Sequence, residues 1–260
     1  MAATFVPTPT EIADLARLVG DVAGGEAASA VPFAAPLLLF SRLDPARRDA
    51  LFAPRPGRVL VQEQLAIEAP RRLPVAAPIE VRFRFVEPAT DAAAFRIEAD
   101  LLDTAGDLLA VVRTSIRPIE ASSLAAATGL PLPAATDMRE GATTPPLGAD
   151  LVGRWLRLVG DENPIHSDRA HAVGLGLAGP VVPGALLAAA AAALAAAGPS
   201  VGLVRLNMRF MAPIGVGTAV ATRVRERDGE AKDRRDLRLF FLVGDRAVAV
   251  ADLGFAVSDR

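Results

Sequence analysis

Apolar and polar residues alternate through four consecutive runs near the end of the chain: VGLVRLNMRFMAPI from Val201, TAVATRVRERDG from Thr218, RDLRLFFLVGD from Arg235 and RAVAVADLGFAV from Arg246. A period of two marks a strand with one face buried. Turn residues (Gly, Asp, Pro) separate the runs and no helical pattern intervenes, which predicts an antiparallel sheet. Before them the pattern disappears: ALLAAAAAALAAA, Ala185 to Ala197, is apolar on every face. A helix of that kind has to be enclosed, so it is predicted to lie at the centre of a core with the sheet curled around small alanine side chains. No charged residue occurs from Ala172 to Val204, but glycines and prolines interrupt the stretch, and the uninterrupted helical piece is too short to cross a bilayer.

The first half repeats the plan. An apolar segment, VPFAAPLLLFSRL from Val31, precedes four further strand-like runs: GRVLVQEQLAIEAP, APIEVRFRFVEP, AAAFRIEADLLDTAGD and LLAVVRTSIRPI. RLVGD occurs at Arg17 to Asp21 and again at Arg157 to Asp161, and IEAP, ending at Pro70, corresponds in order to FMAP, ending at Pro213. Matches in the same order at similar offsets indicate an internal repeat. Two copies of one domain are therefore expected: residues 1–125, a linker over 126–145 rich in Ala, Thr and Pro, and residues 146–260.

Composition narrows the function. A net charge of -2 and a pI near 5.8 argue against a nucleic-acid partner, which requires a basic surface to displace counterions. The positive charge is nearly all arginine, Lys232 being the one lysine. Cysteine is absent, which removes disulfides, thiolate metal sites and a cysteine nucleophile together. The first residues contain no basic segment followed by an apolar one, so no secretion signal is read and a cytoplasmic, membrane-free protein is expected.

Against this background GDENPIHSD, Gly160 to Asp168, is the richest stretch, holding one of the chain's two histidines. An Asn-Pro pair favours a turn and fixes one dihedral, so Asn163 and Pro164 would hold Asp161 and His166 at a set separation. Such a pair could move protons; Gly-Asp and Ser-Asp are equally ordinary turn and helix-cap pairs. His171 reads as a packing or surface histidine on a short helix capped by Ser167. A metal site on His166 and His171 is disfavoured, because a spacing of five does not put both rings on one helical face.

The longer stretch GDENPIHSDRAHAVGLGLAGPVVPGALL resembles the MaoC-like hydratases and dehydratases. The matching positions are Gly160, Asp161, Asn163, Pro164, His166, Asp168, Gly174, Pro180, Val181, Val182 and Gly184. The resemblance implies an α+β double hot-dog fold, each half a long central helix wrapped by an antiparallel sheet. It implies reversible hydration of trans-2-enoyl thioesters to (R)-3-hydroxyacyl thioesters, on coenzyme A or acyl carrier protein, with neither cofactor nor metal. Asp161 and His166 would be the acid-base pair; Gly184, Asn163 and Pro183 would meet the substrate, the Gly184 N–H bonding the thioester carbonyl. Some relatives carry a serine on the central helix where this chain has Ala192. The first copy lacks the Asn-Pro pair and the histidine, so it is not expected to house a second site; by analogy, Val31 to Leu43 and the strands after Arg58 would shape acyl length. Other readings are a non-catalytic acyl-thioester-binding or partner subunit, and a hot-dog thioesterase. The latter generally places a carboxylate on the central helix, and none lies between Gly184 and Ala197. A homodimer of such double units is a further expectation.

Overall fold

A computed structural model describes residues 2–25, 30–43, 57–69, 77–86, 94–134, 137–196, 202–227 and 234–256, with Ala46, Asp49 and Phe52. Pro70, Ala197, Val201 and Lys232, named above, lie outside these residues. All eight predicted strand runs are strands. In the first half they are β2 (Arg58–Glu68), β3 (Ile79–Val86), β4 (Phe95–Leu102) and β5 (Leu108–Glu120); in the second, β8 (Gly202–Phe210), β9 (Ala221–Arg227), β10 (Arg234–Val243) and β11 (Arg246–Ala256). Three short strands escape the sequence pattern: β1 (Ala2–Phe5), β6 (Leu130–Pro131) and β7 (Met138–Thr143). With two to six residues each, they are too brief for alternation to register.

All these strands form one antiparallel sheet in the order β1-β3-β4-β5-β2-β8-β11-β10-β9-β7, with β6 beside β11. The order is the same in each half: the first long strand sits beside the last, and a short strand closes the outer edge. The halves meet where β2 pairs with β8, Leu65 opposite Met208 and Ile67 opposite Leu206. Those four side chains are fully buried and face the helices. The segment 126–145 thus contributes strands to the second half, β6 to β11 and β7 to β9.

The helices repeat too. Helix α1 (Pro9–Ala23) begins with a capping box, Thr8 Oγ1 accepting from Glu11 N at 3.1 Å while Glu11 returns a bond to Thr8 N, and with Pro9 at a position where no donor is lost. A short α2 (Val31–Ala34) tightens into a 3-10 turn over Ala35–Arg42. A proline at position 36 cannot donate to the preceding turn and crowds its carbonyl, so this apolar segment does not make the long regular helix of its counterpart. In the second half α4 (Ala149–Val159) corresponds to α1, and the counterpart of α2 is the alanine-rich α6 (Gly184–Ala196). Two further small helices among the described residues are α3 (Ala121–Ala126) and α5 (Arg169–Gly174). Helix α6 is enclosed as its composition requires: Leu186 through Ala193 are at most 2 % exposed, packed against α1, α2 and strands β2, β8 and β11. Among the described residues no helix is long and apolar enough to cross a membrane. One core cluster runs through both halves, from Leu15, Leu38 and Ile97 to Trp155, Leu187 and Leu253.

Candidate active site

The site begins where α4 stops. Gly160 adopts φ +65°, and the N–H groups of Gly160 and Asp161 both donate to Leu156 O, the closure of a helix by a left-handed glycine. Continuation of the helix is blocked from the other side, because the Pro164 ring would press on the carbonyl four residues earlier, that of Gly160 itself. Asp161 therefore leaves the helix as the first residue of a loop. Its Oδ1 accepts the Asn163 N–H at 3.0 Å, and Asn163 Oδ1 accepts the Ile165 N–H at 3.2 Å, starting a 3-10 turn over Pro164–His166.

His166 is fixed at its other nitrogen. Nδ1 lies 2.8 Å from Val181 O, an acceptor, so Nδ1 carries the hydrogen and donates. Nε2 then faces Asp161 Oδ2 at 3.8 Å, beyond direct hydrogen-bond reach. The imidazole is 14 % exposed and the carboxylate 34 %. Val181 also donates its N–H to Ile165 O at 3.1 Å, and its neighbours Pro180 and Val182 bond to Val216 and Ile214. The histidine is thereby tied to the 214–216 loop rather than resting on its own turn. Pro183 is buried, and its carbonyl accepts from Leu186 and Leu187 to start α6, leaving Gly184 as the first helical residue. Asp161 and His166 are thus brought together; Asn163 shapes the turn; Gly184 comes three residues after the carbonyl that anchors His166. His171 is exposed on α5, whose cap is Asp168 rather than Ser167, with Asp168 Oδ1 accepting the His171 N–H at 3.0 Å.

Three contributions from other parts of the chain were not read from the sequence. A Cβ on Gly184 would stand 2.5 Å from Gln62 Oε1 and 3.0 Å from Phe210 Cζ, so β2 and β8 close on this glycine. Ile165 and Val181 pack in a small cluster with Leu124 on α3, against Val59 and Val61 of β2 and Ile119 of β5. The loop is therefore backed by the first half. The visible signal was QEQ, three polar residues between the two apolar runs of β2.

One antiparallel sheet built from two copies of the same strand order, joined edge to edge around helices, defines a double hot-dog fold. Residues 148–238, within the second half, match the family model described as MaoC like domain. A structure described as a MaoC-like dehydratase aligns over 98% of this chain and 96% of its own, with 17% identity and a TM-score of 0.71. HtdX from Mycobacterium tuberculosis aligns over 97% and 98%, at 20% identity and a TM-score of 0.69. A third structure, a conserved hypothetical protein from the same organism described as having a double hotdog fold, aligns over 98% and 95%, at 12% identity and a TM-score of 0.57. At these identities the likeness is one of fold. No curated protein matches the sequence.

Proposed function

We propose that this protein interconverts trans-2-enoyl and (R)-3-hydroxyacyl thioesters by adding or removing water, with residues 146–260 holding the site and residues 1–125 a non-catalytic half. The observation that carries the reading is the pairing of Asp161 and His166 at 3.8 Å, each oriented by a separate backbone bond. With Nδ1–H committed to Val181 O, Nε2 keeps its lone pair and can take a proton. A water hydrogen-bonded to both Oδ2 and Nε2 fits the separation, since two bonds of about 2.8 Å span it as a bent bridge.

In the hydration direction the oxygen of that water attacks the β-carbon of the enoyl thioester. One of the pair receives the water's proton, and a proton from the pair passes to the α-carbon, so H and OH add across the double bond and the site returns to its starting charge. Negative charge builds meanwhile on the thioester oxygen. The N–H of Gly184, at the positive end of α6, is the donor for it. The substrate is an acyl thioester of coenzyme A or acyl carrier protein, the protein works in the cytoplasm, and two such chains pair as a homodimer. Consumption of crotonyl-CoA by the wild type, with formation of the R alcohol, tests the reading; a folded wild type inert towards both coenzyme A and carrier-protein enoyl thioesters contradicts it.

A further inference from the structure

We propose that Gln62, a residue of the half without a catalytic pair, is a positioning residue for the Gly184 N–H. The inference rests on the hydratase reading above and goes beyond it by giving the first half a direct part in the site.

Along β2 the core-facing residues Leu65 and Ile67 have their neighbour two positions back at Glu63, which points outward to Arg117 at 2.8 Å. A bulge between Gln62 and Gln64, in the pairing with β5, accounts for the reversal. An extra residue in one strand changes which side chain meets which face. Its effect here is to turn Gln62 inward, towards the start of α6.

The carboxamide is then held in one orientation. Gln62 Nε2 donates to Thr114 Oγ1 at 2.9 Å, and that hydroxyl donates to Gln64 O at 3.0 Å. Thr114 is 2 % exposed, one of few buried polar residues among those described. Because Nε2 is engaged, the amide's other end, Oε1, is the atom that lies against Gly184, with the Phe210 ring on the same glycine. The first residue of α6 is therefore clamped by one side chain from each half. A clamp of this kind sets the aim of the Gly184 N–H towards a thioester oxygen. It also has to be uncharged: a carboxylate at this point would oppose the negative charge developing on that oxygen, at a range where the low-dielectric surroundings screen it weakly.

Gln62→Glu keeps the shape and makes the charge titratable. The ratio of its kcat to that of wild type, followed against pH for enoyl-thioester hydration, is expected to lie within about threefold of unity when the new carboxyl is protonated. It should fall by about tenfold or more as that carboxyl ionises, with KM changed less than kcat. Thr114→Val, which frees the amide without adding charge, is expected to lower kcat by about threefold to tenfold at constant KM. A pH-independent ratio for Gln62→Glu would overturn the inference, as would an unchanged kcat for Thr114→Val should Gln62→Glu not fold. A wild type inert towards every enoyl thioester would instead overturn the hydratase reading and this inference with it; an active wild type beside indifferent variants removes the inference alone.

Discussion

RLVGD appears twice, and its two aspartates have different fates. In the second copy α4 closes at Gly160, and Asp161 enters the loop to face His166. In the first, α1 runs through Gly20 and Asp21 for another turn, closing only at Gly24, φ +73°, while Val22 is drawn completely into the core. Asp21 instead reaches Arg154 of α4 at 2.8 Å, an ion pair between the two copies. The difference lies four residues downstream: Pro164 forbids continuation in one copy, and Gly24 stands at the equivalent position in the other. The same five residues become a candidate acid-base group or a strut according to the residues just downstream, so a motif of this length carries chemistry only together with its stop signal.

The strongest way to break this comparison is to remove the groups it separates. Asp161→Asn or His166→Ala is expected to reduce kcat for enoyl-thioester hydration by at least about 100-fold, with the melting temperature close to wild type. Near wild-type turnover in either variant would leave the pair without a role. Gly184→Ala tests the point where the halves close on the site. Its methyl group meets Gln62 and Phe210 at distances that force one to move, so a loss of about 1–3 kcal/mol in denaturant unfolding is expected, along with reduced kcat. Combining it with Gln62→Ala should restore part of the stability, because the nearest obstructing atom is then gone.

Smaller effects sharpen the contrast on the outer face of the sheet. In the second half Asp252 is bonded twice by Arg238, at 2.6 and 2.8 Å, with Arg227 at 3.3 Å. Burial by itself would raise its pKa, but the bonds and charges of Arg238 and then Arg227 prevail and hold it below the ordinary carboxylate value. A lowered folded-state pKa gives stability that is present above the unfolded-state value and is lost as pH falls through the folded one. Asp252→Asn is therefore expected to cost about 1 kcal/mol near neutral pH, the gap from wild type closing as the solution is acidified through the carboxylate range. In the first half the comparable pair, Arg113 with Glu68, makes one bond and is 41 % and 50 % exposed. Smallest of all should be Asp21→Asn: less than about 1 kcal/mol, as for exposed ion pairs generally, and kcat unchanged.

Much of the fold was legible because its signals are local. Alternation found every long strand, and the unbroken apolarity of Ala185 to Ala197 led to a helix that is enclosed from Leu186 through Ala193. The turn around Asn163 and Pro164 was legible for the same reason, since dihedral restriction acts on neighbours. Helix α1 carries a local signal as well, the capping box of Thr8 with Glu11, although its start was not among the expected elements. The true cap of α5 was missed by one residue, as two adjacent polar side chains, Ser167 and Asp168, compete for that place. Gln62 and Phe210 could not be read, because their meeting at Gly184 depends on a bulge in the pairing of β2 with β5 and on the pairing of β2 with β8, contacts between strands far apart in the sequence. The anchoring of His166 by Val181 O was hidden likewise: a carbonyl has no sequence signature.

The most direct test is the loss of enoyl absorbance on mixing crotonyl-CoA with wild type, Asp161→Asn and Asp21→Asn in parallel, with the configuration of the product determined. Hydration to the R alcohol by wild type and Asp21→Asn, and its absence in a folded Asp161→Asn, is the expected result. Equal activity in all three, or equal loss in both variants, would contradict the claim that the two copies of RLVGD have parted into a catalytic half and a supporting one.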